Sequence, residues 1–253
     1  MNIDSAKIKE QLDFDCEVEL LETVDSTNLY LKRNSTFSKD TLVVAKTQTA
    51  GKGRCGKSFY SNENGIYMSL LLNKLIHAND VYILTVTAAV AVAETLNRLY
   101  GIDAKIKWVN DIYIGNKKLC GILCEGVLNG QGYYEKSIVG IGINVFKSPF
   151  PADISEIATS LEEVVDNLRI DRNNIICSVI NRFYDLISRH NHEKIVERYK
   201  NLSLMFGKEI TVLSAEGLYS AQVVDIDSNA QLIVQNQNGE IISLNSGEIS
   251  IKL

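Results

Sequence analysis

The stretch Ile138-Val139-Gly140-Ile141-Gly142-Ile143-Asn144-Val145 decides the fold. It is apolar almost throughout and carries no charge, the pattern of a central strand buried on both faces. Its strand is expected to run from Tyr133 to Val145. Upstream lie three more strand patterns, Ala104–Trp108, Asp111–Ile114 and Lys118–Leu128, broken by the turn pairs Gly115-Asn116 and Asn129-Gly130. Nearer the N-terminus, Cys16–Val24, Thr41–Lys46 and Ile66–Leu72 also read as strands.

Helices interleave with them. Ser5–Leu12 forms a short one, and Asp25-Ser26 can cap another that ends near Lys32. The clearest is capped by Asn79 or Asp80. In it Val81, Leu84, Ala88, Val92, Leu96 and Leu99 recur at helical spacing, and Gly101 stops it. Helices return from Ser160 to Tyr199, the main one capped by Asp171, with Ile175, Val179, Phe183 and Ile187 four apart. After Phe206-Gly207 only short strands remain: Lys208–Leu213, Leu218–Ile226, Gln231–Gln235, Glu240–Leu244 and Glu248–Ile251. Their spacing is barrel-like. The expected fold is therefore α+β, a mixed sheet packed with helices followed by a small β-barrel. A boundary near Leu204–Lys208 divides 1–205 from 206–253.

Composition narrows the function classes. The chain is 45% hydrophobic and 23% charged, ordinary for a globular protein. A net charge of −5 argues against general nucleic-acid binding. The apolar run Val86–Ala93 is too short to span a bilayer. Met1-Asn2-Ile3-Asp4 lacks the regions of a signal peptide, so cytoplasmic residence is expected. The five cysteines, Cys16, Cys55, Cys120, Cys124 and Cys177, are scattered as reduced thiols are, and Cys120 and Cys124 sit in an apolar run that suits packing. His77, His190 and His192 have no companion at metal-ligand spacing, so no metal held by side chains is expected.

One loop carries the chemistry. Gly51-Lys52-Gly53-Arg54-Cys55-Gly56-Lys57-Ser58 fits the phosphate-binding pattern G-x-x-x-x-G-K-[ST]. A true phosphate loop opens a helix. Here Phe59-Tyr60-Ser61-Asn62-Glu63-Asn64-Gly65 follows, which is turn chemistry and then a strand. The nucleotide-hydrolase reading therefore predicts a helix after Ser58 that the sequence does not support. Three cations among glycines still suit an anionic ligand; on this segment alone a solvated surface loop accounts for them equally well.

Several segments in order tip that balance: Asp25-Ser26-Thr27-Asn28; Thr47-Gln48-Thr49-Ala50-Gly51-Lys52-Gly53-Arg54; Lys107-Trp108-Val109-Asn110-Asp111; Lys117-Lys118-Leu119-Cys120-Gly121-Ile122-Leu123-Cys124-Glu125; and Val139-Gly140-Ile141-Gly142-Ile143-Asn144-Val145. Together these resemble the signatures of biotin–protein ligases. The resemblance covers a catalytic domain from about residue 18 to 203. It extends into Ser246-Gly247-Glu248-Ile249-Ser250, similar to the end of that family's C-terminal SH3-like domain. Val109 stands where the family usually has proline, and Lys52 and Cys55 where many members have arginine. The segment before residue 18 is short for the helix-turn-helix domain some members carry, so DNA binding is not expected.

The resemblance implies biotin and ATP as substrates, with magnesium carried on the nucleotide and biotinyl-5'-AMP as intermediate. It further implies transfer to a lysine of a biotin carboxyl carrier protein or domain, such as that of acetyl-CoA carboxylase, and a possible homodimer. Two anions must meet, so cations are needed, and Lys52, Arg54 and Lys118 are the candidates. Alternation along the strand puts Lys117 and Lys118 on opposite faces, and the motif favours Lys118. Asp111 would orient or deprotonate the incoming lysine; a turn aspartate is the plain alternative. Ser26, Thr27 and Gln48 suit the neutral ureido ring, with Asn28 beside them; Ser26 would serve equally as a helix cap. Gly51 and Gly53 would let backbone approach phosphate, and Gly121 would do the same beside the pocket. Asn110 and Asn144 suit the nucleotide. Trp108 fits the core better than a ligand stack. Lipoate or octanoate ligation and a non-catalytic binding module are the other readings.

Overall fold

The structure, a computed structural model, describes residues 2–34, 37–165, 169–214, 217–245 and 249–251. Strands β1 (Glu17–Val24) and β2 (Thr41–Gln48) lie parallel because helix α2 (Thr27–Arg33) crosses between them. All other neighbours pair antiparallel: β3 (Gly65–Leu72), β4 (Ile76–His77), β5 (Ala104–Lys107), β6 (Asp111–Ile114), β7 (Lys117–Leu128) and β8 (Tyr133–Asn144). The order across the sheet is β1-β2-β3-β8-β7-β6-β5, with the two-residue β4 added on β8. The mixed sheet is as expected. The sequence did not reveal β4, which is too short for a periodic signal.

β8 is central, and alternation gives its two faces different work. Val139, Ile141 and Ile143 join the large core under α3 (Tyr82–Tyr100). Ile138 instead packs with Leu31, Val43 and Leu71 on the α2 side. Side chains alternate across a strand, so Gly140, Gly142 and Asn144 share that second face. The run is buried on both sides, but on one side glycine replaces bulk.

Helices cover the large core. α1 (Ser5–Gln11) is capped by Asp4, which accepts from Ala6 N and Lys7 N, and it packs on α5 (Arg172–Ser188). Asp171 caps α5 by accepting from Asn173 N. α3 packs on α5 and α6 (His192–Leu202), and twelve of its residues, from Ile83 to Leu96, are buried. Its N-cap is Val81, not Asn79 or Asp80; Ala78–Asp80 forms a short 3-10 turn ahead of it. Gly101 ends α3 in the left-handed region (φ 66°), donating its N–H to Asn97 O. The helical run expected from Ser160 is broken: α4 (Leu161–Val164) is a single turn.

The C-terminal unit is the expected small all-β module. Strands β9 (Glu209–Ser214), β10 (Gly217–Ile226), β11 (Leu232–Asn236), β12 (Ile241–Leu244) and β13 (Ile249–Ile251) form an antiparallel sheet in the order β12-β11-β10-β9-β13. The motif residues 246–248 lie outside the described residues. The Trp108 indole donates to Ala230 O at 2.8 Å in a buried bond, and Leu204 N donates to Ile106 O at 3.0 Å. Ile210, Val223 and Leu232 belong to the same apolar cluster as α3. Trp108 is thus a core anchor, as expected.

Candidate active site

The glycine face of β8 floors a cavity of about 600 Å3. All the site residues expected from sequence line it except Gly51. Gly51 sits behind the loop, where a Cβ would come within 2.5 Å of Phe59 O and 2.6 Å of Ser61 Oγ. Its role is to let the loop backbone pass, not to face a ligand. Gly142 pairs with Gly121 of β7, and the Phe59 ring lies on this shelf; a Cβ on Gly142 would stand 2.6 Å from the ring. Sequence reasoning missed Phe59, although glycines at every second position of β8 could have flagged a flat face.

One end of the cavity is neutral and hydrogen-bonded. Thr27 donates from its N–H (2.9 Å) and its hydroxyl (3.2 Å) to Gln48 Oε1. Gln48 Nε2 donates to Ser61 Oγ at 2.9 Å, and Ser61 donates to Phe59 O at 2.8 Å. These bonds fix the Gln48 amide's orientation. Ser26 is the N-cap residue of α2, but its hydroxyl makes no capping bond, and the Thr27 N–H goes to Gln48. Ser26 is 2% exposed and lines the cavity. Asn28 differs: its amide donates to Leu123 O (3.1 Å) and Glu125 Oε2 (2.8 Å), while Ser69 Oγ lies 2.6 Å from Asn28 Oδ1. Both amide hydrogens are thus bound within the protein, and they brace α2 against β7.

Glu125 offers a pH test of this brace. Burial alone would raise its carboxyl, but hydrogen bonds from Lys32 and Asn28 outweigh burial and hold it below the ordinary range. A lowered carboxyl contributes stability above the unfolded-state value, and that contribution fades as pH falls through the folded value. Chemical denaturation of Glu125→Gln against wild type should show a stability gap at pH 7 that narrows below about pH 4.5. A gap constant down to pH 3 would refute the brace.

The other end is cationic. The loop is a small hairpin: Lys52 bridges Ser58, Gly53 N donates to Lys57 O at 2.7 Å, and Arg54–Gly56 make a 3-10 turn at its tip. No helix follows Ser58, which removes the nucleotide-hydrolase reading of this motif. Lys118 Nζ sits 2.7 Å from Asp111 Oδ1 and 6.0 Å from the Phe59 ring centroid. A register shift between Ile112 and Tyr113 sets Lys118 opposite Tyr113. Lys117 is exposed, as alternation required. Arg54 Nη1 reaches Asn110 Oδ1 at 3.5 Å. Asn110 Nδ2 donates to Ile122 O (2.6 Å) and Asn144 Nδ2 to Thr159 O (3.0 Å), which leaves each amide part of its capacity for a ligand. Two lysines missed from sequence, Lys107 and Lys208, also line the cavity.

Cys55 occupies the hairpin tip, exposed and at φ 53°. Burial pushes the Cys16 and Cys124 thiols up to about 12 and Cys177 to about 11, and raises Cys120 as well. Brief iodoacetamide treatment of the folded protein at pH 7.5 should therefore add one adduct, at Cys55. Peptide mapping that finds Cys124 modified as fast would contradict this burial order.

Comparison with known proteins places the chain. The model of the biotin/lipoate A/B protein ligase family matches residues 20–144, and that of the biotin protein ligase C terminal domain matches residues 205–252. The chain is 34% identical over 213 residues to the bifunctional ligase/repressor BirA of Bacillus subtilis, covering 81% of this chain and 65% of that protein. It thus spans just under two thirds of that relative's length. A biotin–[acetyl-CoA-carboxylase] ligase of Mycobacterium tuberculosis is 24% identical over 92% of this chain and 88% of its own length. Among solved structures, the biotin protein ligase from Aquifex aeolicus in complex with biotin and ATP superposes with a TM-score of 0.80 at 30% identity, over 93% of this chain and 98% of that one. The mixed sheet and its glycine-floored cavity are those of the biotin/lipoate A/B protein ligase fold. The chain belongs to the biotin protein ligase family.

Proposed function

We propose that this chain is an ATP-dependent ligase that joins biotin to AMP and then passes the biotinyl group to a lysine of a biotin carboxyl carrier protein. One observation carries the proposal: a single cavity has a neutral, hydrogen-bonded end at Ser26, Thr27 and Gln48 and a cationic end at Lys52, Arg54 and Lys118. The first suits a ureido ring, which has two donors and one carbonyl. The second suits a carboxylate meeting a triphosphate, whose repulsion fixed cations relieve. In the first step a biotin carboxylate oxygen attacks the α-phosphorus and diphosphate leaves. In the second the lysine amine attacks the acyl carbon and AMP leaves. Asp111, beside Lys118, is the group proposed to take the amine's proton.

Magnesium is proposed to arrive on the nucleotide, neutralising phosphate charge. Among the described residues no group of three or more His, Cys, Asp or Glu is arranged to hold a metal, and Asp111 is already engaged by Lys118. The catalytic unit is proposed to be residues 1–205, completed by 206–253. The carrier of acetyl-CoA carboxylase is the proposed acceptor, on the strength of the relative's name. Pairing of two copies is proposed at the edge of β7 beyond Gly121, where β6 stops and Val127 and Leu128 are exposed. No helix among the described residues is long and apolar enough to cross a membrane, and a cytoplasmic site of action is proposed.

The test is a mass measurement. The chain, ATP, magnesium and biotin are incubated with a purified biotin-carrier domain, with lipoate and octanoate in parallel tubes. A biotin-sized gain that requires ATP supports the proposal. A gain with lipoate alone would move the activity to the other branch of the family, and no gain with any acid would overturn ligation.

A further inference from the structure

Lys107 is one of three cations lining the cavity, with Lys57 and Lys208, to which the ligase scheme gives no role. It ends β5 opposite Asp111 of β6, so both side chains share one face of the sheet. Its ammonium lies 5.2 Å from the Tyr113 ring centroid and lines the cavity. Lys118 has Asp111 as ion-pair partner, whereas Lys107 has no carboxylate within 4.0 Å among the described residues. Burial lowers its pKa from the ordinary value; Asp111 opposes this, and Lys118 and Lys57 add to the lowering. A half-buried ammonium without a carboxylate is unfavourable, and an aromatic face offsets only part of that cost. Such a group is built to meet an anion. Lys208, just ahead of β9 in the C-terminal unit, lines the same cavity.

We propose that Lys107, with Lys208 from the other unit, holds the diphosphate that leaves when the adenylate forms. This rests on the ligase proposal and deepens it. The chemistry selects the ligand: Arg54 and Lys118 serve the carboxylate and α-phosphate, and the remaining negative charge of the two substrates is on the β- and γ-phosphates. As the carboxylate oxygen bonds to the α-phosphorus, the bond from that phosphorus to the bridging oxygen breaks. The electron pair stays on diphosphate, beside the two ammonium groups, and no proton need move. The Trp108–Ala230 bond would then seat the C-terminal unit so that Lys208 reaches a cavity built by the first unit.

The experiment separates this role from a structural one. Titration calorimetry with sodium diphosphate is run on the full-length wild type, Lys107→Met, Lys107→Arg and Lys208→Ala. The two half-reactions are measured in parallel, adenylation from biotin and ATP, and transfer to a carrier from chemically made biotinyl-5'-AMP. Lys107→Met is expected to weaken diphosphate binding at least about tenfold and to slow adenylation on the order of 100-fold, with transfer reduced at most a few-fold. Lys107→Arg should recover most diphosphate affinity, and Lys208→Ala should show the same pattern in weaker form. Unchanged diphosphate affinity in Lys107→Met, or equal loss in both half-reactions, would overturn the assignment. Diphosphate binding that depends on Lys107 in a protein that makes no adenylate would uphold the anion site and overturn the ligase reading alone.

Discussion

Replacing Lys118 with Ala should slow adenylate formation by about 100- to 1,000-fold, the scale of loss when one preorganised charge is removed from a developing anion. The size follows from position. Lys118 is 31% exposed on its side chain and held at 2.7 Å by Asp111, which is 23% exposed, so its field is only partly screened by water. Asp111→Asn should cost less in adenylation, because the ammonium stays in the cavity, and relatively more in transfer, where the carboxylate would take the amine's proton. Single-turnover measurement of each half-reaction separates the two. If both variants lost the two half-reactions in the same ratio, the pair would be a structural ion pair and not two chemical roles. Melting temperatures of both variants, measured alongside, separate a loss of fold from a loss of chemistry.

The second large effect concerns the fold beneath the site. Gly140→Ala should destabilise the protein by about 2–3 kcal/mol, because overpacking and a broken polar network add. A Cβ there would stand 2.2 Å from Asn28 Oδ1, which cannot move without giving up Ser69, Leu123 O and Glu125. For a chain of this size the melting temperature should fall on the order of 5–10 °C. Gly130→Ala is the control: nothing lies within 4 Å of its Cβ position, and its melting point should stay within about 1 °C, as is usual for an unencumbered surface change. Scanning calorimetry reads both. An unaffected Gly140→Ala would mean that α2 can shift away from β8, and that Asn28 does not fix the neutral end of the site.

Much of the site was legible because its pieces are local. The hairpin of Gly51 to Ser58 carries its own turn residues and its own cations, and the stretch after it is too rich in turn formers to continue as a helix. Lys118 was distinguishable from Lys117 because alternation along a strand is a two-residue rule. Gly101 and Asp171 end and begin helices through contacts within a few residues. What failed was mostly long-range. Ser26 has the right chemistry for a cap and stands at the N-cap of α2, yet its side chain makes no capping bond, and the start of the helix is held by Gln48, 21 residues from Thr27. The bonds of Asn28 Nδ2 to strand β7, 95 and 97 residues away, are likewise beyond any local pattern.

The sequence by itself determined most of the long strands and helices, the change to an all-β tail and the loop that carries the positive charge, since each depends on neighbours in the chain. Only the tertiary structure decided that Phe59 lies across Gly121 and Gly142, and that Lys107 and Lys208 come to one cavity. Those outcomes bring together residues far apart in sequence: Phe59 is 62 residues from Gly121 and 83 from Gly142, and Lys208 is 101 from Lys107. No local periodicity encodes them; they are settled when burial of the whole apolar surface fixes the register of every strand at once.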